Sequence, residues 1–152
     1  MQPLSLLGPI DAVLETHILD KPLILWVILG LVVVNFGTRF FAQRSYRKQA
    51  KSDDHDEHLS RNVVHEVSNV LLVLASFYFL TTHHHAGIVL SSLVLGLFIT
   101  DFFEFEAREV ELRNGEALSK PNGALVASFV VFLYAGYLSL FFLVEPLWNA
   151  VI

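Results

Sequence analysis

The chain has 152 residues, 54% of them hydrophobic and 16% charged, with a formal net charge of −5. That balance is too apolar for an ordinary soluble domain of this length and points to a single membrane domain. An acidic chain whose ten Lys and Arg are scattered over short loops is not a nucleic-acid binder, and the absence of cysteine excludes disulfides, thiolate metal sites and thiol redox chemistry.

The first 21 residues carry Leu, Ile and Val interrupted by Pro3, Gly8 and Pro9, and are expected to form an external interfacial segment with a short helix over about 10–19. Acidic Asp11, Glu15 and Asp20 precede the first long apolar run, so that run is expected to stay in the mature protein and not to be cleaved as a signal. Four apolar runs follow, at about 22–42, 63–82, 86–106 and 123–145. Each is long enough to cross a hydrocarbon core of about 30 Å, which takes roughly 20 helical residues. Backbone groups in lipid need partners within their own segment, so the expected fold class is all-α: a four-helix transmembrane bundle without strands. Asp20 with Pro22, Ser60, and Ser119 with Pro121 are placed to start the first, second and fourth helices.

Residues 43–62 read as a charged cytoplasmic loop, and within it "KQAKSDDHDEHLSR" reads as a solvated linker without fixed structure. Orientation follows from the basic residues. Arg39, Arg44, Arg47, Lys48, Lys51 and Arg61 flank that loop, and Arg108, Arg113 and Lys120 flank the connection between the third and fourth spans. Only Lys21 lies on the other side, so both termini are expected outside, with Trp26 and Trp148 at the outer interface.

Against this apolar background the polar residues form a pattern. In the second span Asn62, His65, Glu66, Asn69 and Ser76 share one arc of a helix; in the third, Asp101, Glu104 and Arg108 share a face; the first supplies Asn35 and Arg39. The short turn joining the second and third spans makes them an antiparallel hairpin. Asn35, Asn69 and Asp101 then fall roughly 7–10 Å inside the cytoplasmic boundary, with Arg39, His65, Glu66 and Glu104 one turn nearer the surface. Ionisable groups at that depth face the bundle interior and pair. Arg39 and Arg108 set +2 against −3 from Glu66, Asp101 and Glu104. One negative charge is left over unless His65 is protonated, a carboxyl holds a proton, or a cation binds. The candidate roles are a lock on helix register, a proton or small-cation site, and a socket for a partner's basic residue.

In "TTHHHAG", the turn between the second and third spans, His83, His84 and His85 are weak metal candidates that His17 could join. No cofactor is expected: haem needs axial His ligands on facing helices, and the first, third and fourth spans have none. The fourth span carries Ala124, Ala127, Ser128, Ala135 and Ser139 near one face, a small-residue stripe for packing on the first span or on another chain, and Tyr134 and Tyr137 are expected to bond inside the bundle. No phosphate loop, Ser-His-Asp spacing or zinc-protease motif is present, so no enzymatic activity is expected.

"HEVSNVLLVLASFYFL", "VLGLFITDFFEFEAR" and "FFLVEPLWNAVI" resemble a family of small four-helix membrane proteins of halophilic archaea. That resemblance covers most of the chain outside the acidic loop and implies an archaeal plasma membrane, but no activity. The membrane-associated glutathione and eicosanoid enzymes have a similar length, yet Arg61, Asn62, His65, Glu66 and Asn69 do not match their second-helix signature. The expected role is therefore an accessory or assembly subunit, in contact with lipid and, through the fourth helix, with a second copy or another membrane subunit. A small transporter using the carboxylates is the alternative.

Overall fold

A computed structural model describes residues 8–52 and 58–152. The described chain is a bundle of four long helices: α2 (Leu23–Lys51), α3 (Val63–Thr82), α4 (His84–Arg113) and α5 (Asn122–Val151), preceded by a short α1 (Pro9–Leu14). The long helices run up and down and pack in a ring, each on its two neighbours in the order α2, α3, α4, α5. All four are long and apolar enough to cross a membrane, and the chain is an all-α multi-pass membrane protein.

Three helices outrun their apolar stretches. The expected loop 43–62 is helical up to Lys51, and α4 runs to Arg113, so at 1.5 Å per residue each is about 45 Å long and extends beyond the hydrocarbon. Intrahelical bonding continues wherever nothing breaks it, and no Gly or Pro interrupts residues 43–51. Gly115, at φ 71°, does stop α4: Gly115 N–H donates to Leu112 O and Glu116 N–H to Glu111 O, closing a Schellman turn. α5 continues through Pro146 to Val151, giving up one helical hydrogen bond there.

The capping expectations are corrected in three places. Asp20 does not cap α2, whose N-cap is Pro22 without a side-chain hydrogen bond. Asn62, not Ser60, caps α3, its side chain accepting from His65 N–H at 3.0 Å. Ser119 does not cap α5 with its side chain; it offers its carbonyl to Gln43 and Arg108. The expected helix over 10–19 ends at Leu14, and the chain instead forms a two-residue antiparallel ladder, β1 (His17–Ile18) with β2 (Lys21–Pro22). Leu19 and Asp20 turn it at φ 53° and 64°, both positive as in the type I′ turns that join two-residue hairpins. Trp26 Nε1 donates to Ile18 O and the Tyr78 hydroxyl to Asp11 Oδ1, which fastens this segment to α2 and α3. Residues 1–7 of the interfacial segment lie outside the described residues, as do 53–57 of the acidic loop. Residues 58–62 do have a fixed course. Gln49 exchanges two hydrogen bonds with the Ser60 backbone, Leu59 is buried, and Arg61 lies over the Phe105 ring.

Ile24, Leu25, Ile28 and Val32 of α2 continue at helical spacing into Asn35, Arg39, Gln43 and Tyr46, all buried. The same stripe on α3 passes from Phe79 and Leu72 to Asn69 and His65. The bundle interior is thus layered. An apolar core fills its upper part, a polar layer crosses α2, α3 and α4, and a small second core of Ala42, Tyr46, Leu59, Phe105 and Leu112 closes the basic end.

Candidate functional site: an interhelical polar layer

Asp101 of α4 is the centre of the polar layer. Its Oδ2 lies 2.6 Å from His65 Nε2 and accepts from Asn69 Nδ2 at 2.7 Å, both on α3. Its Oδ1 faces Arg39 Nε of α2 at 3.5 Å. The Arg39 side chain is 2% exposed and that of Asp101 10%. Asn35 extends the layer, donating to Asn69 Oδ1 at 2.7 Å and to Ser68 Oγ at 2.8 Å. Thr38 adds a hydroxyl with His65 Nδ1 at 2.9 Å, Ser68 Oγ at 3.0 Å and Asn35 O at 3.0 Å. Helix periodicity accounts for the convergence: Asn35, Thr38 and Arg39 repeat at i, i+3 and i+4, as do His65, Ser68 and Asn69.

Five of the expected residues therefore meet: Asn35, Arg39, His65, Asn69 and Asp101. Glu104, Arg108 and Glu66 border this group and have partners of their own. Glu104 Oε1 accepts from Ala124 N–H at 3.1 Å and so caps α5, where a carboxylate opposes the positive end of the helix dipole. Gly123 leaves room for it, since a Cβ there would fall 2.6 Å from Glu104 Oε1. Arg108 Nη2 is 3.8 Å from Glu104 Oε2, and its Nε donates to Ser119 O at 3.4 Å. Glu66 pairs with Arg61 at 3.5 Å, and Arg61 also reaches Glu106 at 3.2 Å. Glu66, left over in the count from the spans alone, thus shares Arg61 of the connecting segment with Glu106. Ser76, expected on the polar arc, turns back to its own helix and donates to Val73 O.

Thr38, Gln43, Tyr46, Ser68 and Ser119 also belong to the layer, and span-by-span reading passed over them. Thr38 and Ser68 carried one signal: each stands beside a strongly polar residue, on the same side of its helix. The carbonyl of Ser119 carried none, because any residue has one.

Thr38, His65 and Asp101 form a hydroxyl–imidazole–carboxylate series, but not a nucleophilic one. Three polar neighbours within 3.0 Å crowd Thr38 Oγ1, Asn35 O accepting its proton in one of these contacts, which leaves no open side for a substrate.

At the opposite end of the bundle His83 is the whole turn between α3 and α4, stacked on Phe79 with ring centroids 4.7 Å apart, while His84 and His85 begin α4. His17 Nδ1 lies 3.0 Å from Glu15 O. Among the described residues no three His, Asp or Glu side chains come together as a metal site.

The small-residue stripe of α5 faces inward. Ala124, Ser128, Ala135 and Ser139 are buried and Ala127 is half-buried within the chain's own bundle, where α5 packs on α2 and α4. Neither Tyr134 nor Tyr137 bonds inside as expected: among the described residues neither hydroxyl has a hydrogen-bond partner, the two rings lie 6.3 Å apart, and Tyr137 is 56% exposed. No curated protein and no solved structure matches the chain. A family model spans residues 2–152, and the chain belongs to that family, a domain of unknown function (DUF7313).

Proposed function

We propose that the protein is a non-enzymatic accessory or assembly subunit of a membrane complex. On this reading it sits in an archaeal plasma membrane with both termini outside. The observation that carries the subunit role is Tyr137. It stands near the middle of the 30-residue α5, on the face turned away from the bundle, among Phe129, Val130 and Leu133. A phenol held in hydrocarbon loses its hydrogen bond, and a polar group on a neighbouring transmembrane helix restores it. The polar layer then has the complementary task of locking α2, α3 and α4 in register, so that α5 presents a fixed surface. Orientation is supported by the nine of ten Lys and Arg that flank two connections at one end. The archaeal membrane is supported by the resemblance of the spans.

The competing reading, a proton or cation relay through Glu66, Asp101 and Glu104, has less support. Each of these carboxylates has a separate basic partner, in Arg61, Arg39 and Arg108. A photo-crosslinking residue placed at position 137 in native membranes tests the subunit role. A discrete polypeptide adduct is expected, and it should be missing when the probe sits at Ser128 on the inner face. Adducts to lipid alone, or proton flux through liposomes holding only this chain, would overturn it.

A further inference from the structure

Past the end of its apolar run, α2 carries four cations at helical spacing. Arg44, Arg47, Lys48 and Lys51 stand at i, i+3, i+4 and i+7, so they share one side of the helix, and all four are exposed. Among the described residues none of their side chains forms a hydrogen bond or an ion pair. Arg39, Gln43 and Tyr46 mark the buried side of α2, and the basic stripe turns away from it. Counted from residue 42 at 1.5 Å per residue, Arg44 lies about 3 Å and Lys51 about 14 Å beyond the hydrocarbon. Helical side chains tilt toward the N-terminus, which is here the hydrocarbon side, so these long side chains reach back into the headgroup layer.

The same side of α2 continues into the membrane as apolar surface. Val33, Phe36, Phe40, Arg44, Arg47 and Lys51 follow one another at steps of three or four residues. Val33 and Phe36 face Phe129 and Phe132 of α5 across an apolar groove of about 450 Å3. Phe40, 57% exposed, stands between this groove and the first cation. At the other end Arg47 and Lys51 line a second cleft, of about 500 Å3, against residues 115–118 of the connection from α4 to α5. The one carboxylate on that cleft is Glu116, exposed and outnumbered by the stripe. Asp53, Asp54, Asp56 and Glu57 follow in the sequence but lie outside the described residues and form no part of the site. Phe36 to Arg47 covers about 17 Å of helix, close to the roughly 15 Å depth of one leaflet.

We propose that α2 and α5 hold one anionic phospholipid of the leaflet at the basic end. Its phosphate sits on Arg44, Arg47, Lys48 and Lys51, and one of its hydrocarbon chains lies in the groove of Val33, Phe36, Phe129 and Phe132. A groove alone would take any lipid and a basic stripe alone any anion. Joined on one helix face at the depth of a leaflet, they select a molecule that carries both parts. Tyr137 takes no part in this site, which therefore stands apart from the subunit role.

The test is native mass spectrometry and thermal unfolding of the whole chain in detergent, with three additions compared: phosphatidylglycerol, phosphatidylcholine with the same tails, and glycerol 3-phosphate. One phosphatidylglycerol should be retained and should raise the unfolding midpoint saturably. Phosphatidylcholine, whose choline cancels the phosphate charge, and glycerol 3-phosphate, which has no tails, should do neither. Arg44→Gln with Arg47→Gln should weaken phosphatidylglycerol binding about fivefold for each charge removed. Val33→Trp, which fills the groove, should weaken binding while keeping the preference for phosphatidylglycerol, and Arg113→Gln, off the stripe, should change nothing. Equal effects of the two lipids would overturn the headgroup site, and glycerol 3-phosphate matching phosphatidylglycerol would make it a site for soluble anions. Full binding by Val33→Trp would remove the tail from the groove, and a loss in Arg113→Gln equal to that at the stripe would reduce the site to diffuse charge. The comparison of additions on the unmodified protein decides the proposal even where a variant does not fold.

Discussion

Asp101 has more buried groups depending on it than any other side chain in the layer. His65, Asn69 and Arg39 all direct N–H groups at its two oxygens, so removing the charge leaves a 2% exposed guanidinium without its carboxylate. Losing one partner of a buried pair typically costs about 3–5 kcal/mol. Asp101→Asn should therefore lower stability by about 3 kcal/mol, the amide still accepting one bond. Thermal unfolding in detergent measures this, and an unchanged midpoint would remove Asp101 from the centre of the layer. Glu104 is the contrasting carboxylate. Glu104→Gln retains an acceptor for Ala124 N–H, and should cost less than Glu104→Ala, which uncaps α5 at about 1 kcal/mol. Equal losses would indicate that the cap contributes nothing and that charge alone matters. That Asp101 and Arg39 face inward was legible from their depth among apolar residues, because lipid does not solvate charge. That Glu104 turns to α5 was not legible, since its face of α4 is equally close to α3 and α5 until the ring of helices is known.

At the scale of elements, the hairpin of α3 and α4 has almost no slack. Its connection is His83 alone, and a Cβ on Gly87 would run into the backbone of Leu80. Gly87→Ala should thus push the helices apart at this end, destabilising by about 1–3 kcal/mol as overpacking does. The same substitution at Gly96, where a Cβ meets nothing within 4 Å, should be neutral or slightly stabilising. Parallel urea or thermal scans compare the two, and equal effects would mean that the close approach at Gly87 is not maintained. The hairpin and its four-span context could be read from hydropathy; the helical continuation of α2 to Lys51 could not, because polar residues beyond the lipid edge look the same in a loop as on an exposed helix. Likewise "ILDKP" became a two-residue ladder through turn chemistry too local to alter the apolar pattern.

For the whole molecule, orientation is the property most open to a direct check. Single cysteines placed at Lys51 and at Trp148, in a chain with no native cysteine, should react with an impermeant maleimide from opposite sides of the membrane. Labelling of Trp148 from outside and of Lys51 only after permeabilisation is expected; the reverse would invert the topology. The sequence by itself determined the fold class, the spans and the burial of charge. These follow from one strong term, the cost of exposing backbone and ions to hydrocarbon, which is additive along the chain. Tertiary structure alone decided which carboxylate meets which base, that Arg61 answers Glu66, that the small-residue face of α5 turns inward, and that a groove against α5 continues the basic stripe of α2. Those outcomes depend on how four helices are rotated about their own axes, and the hydrophobic term scarcely restrains that rotation when the outside of the bundle is as apolar as its core.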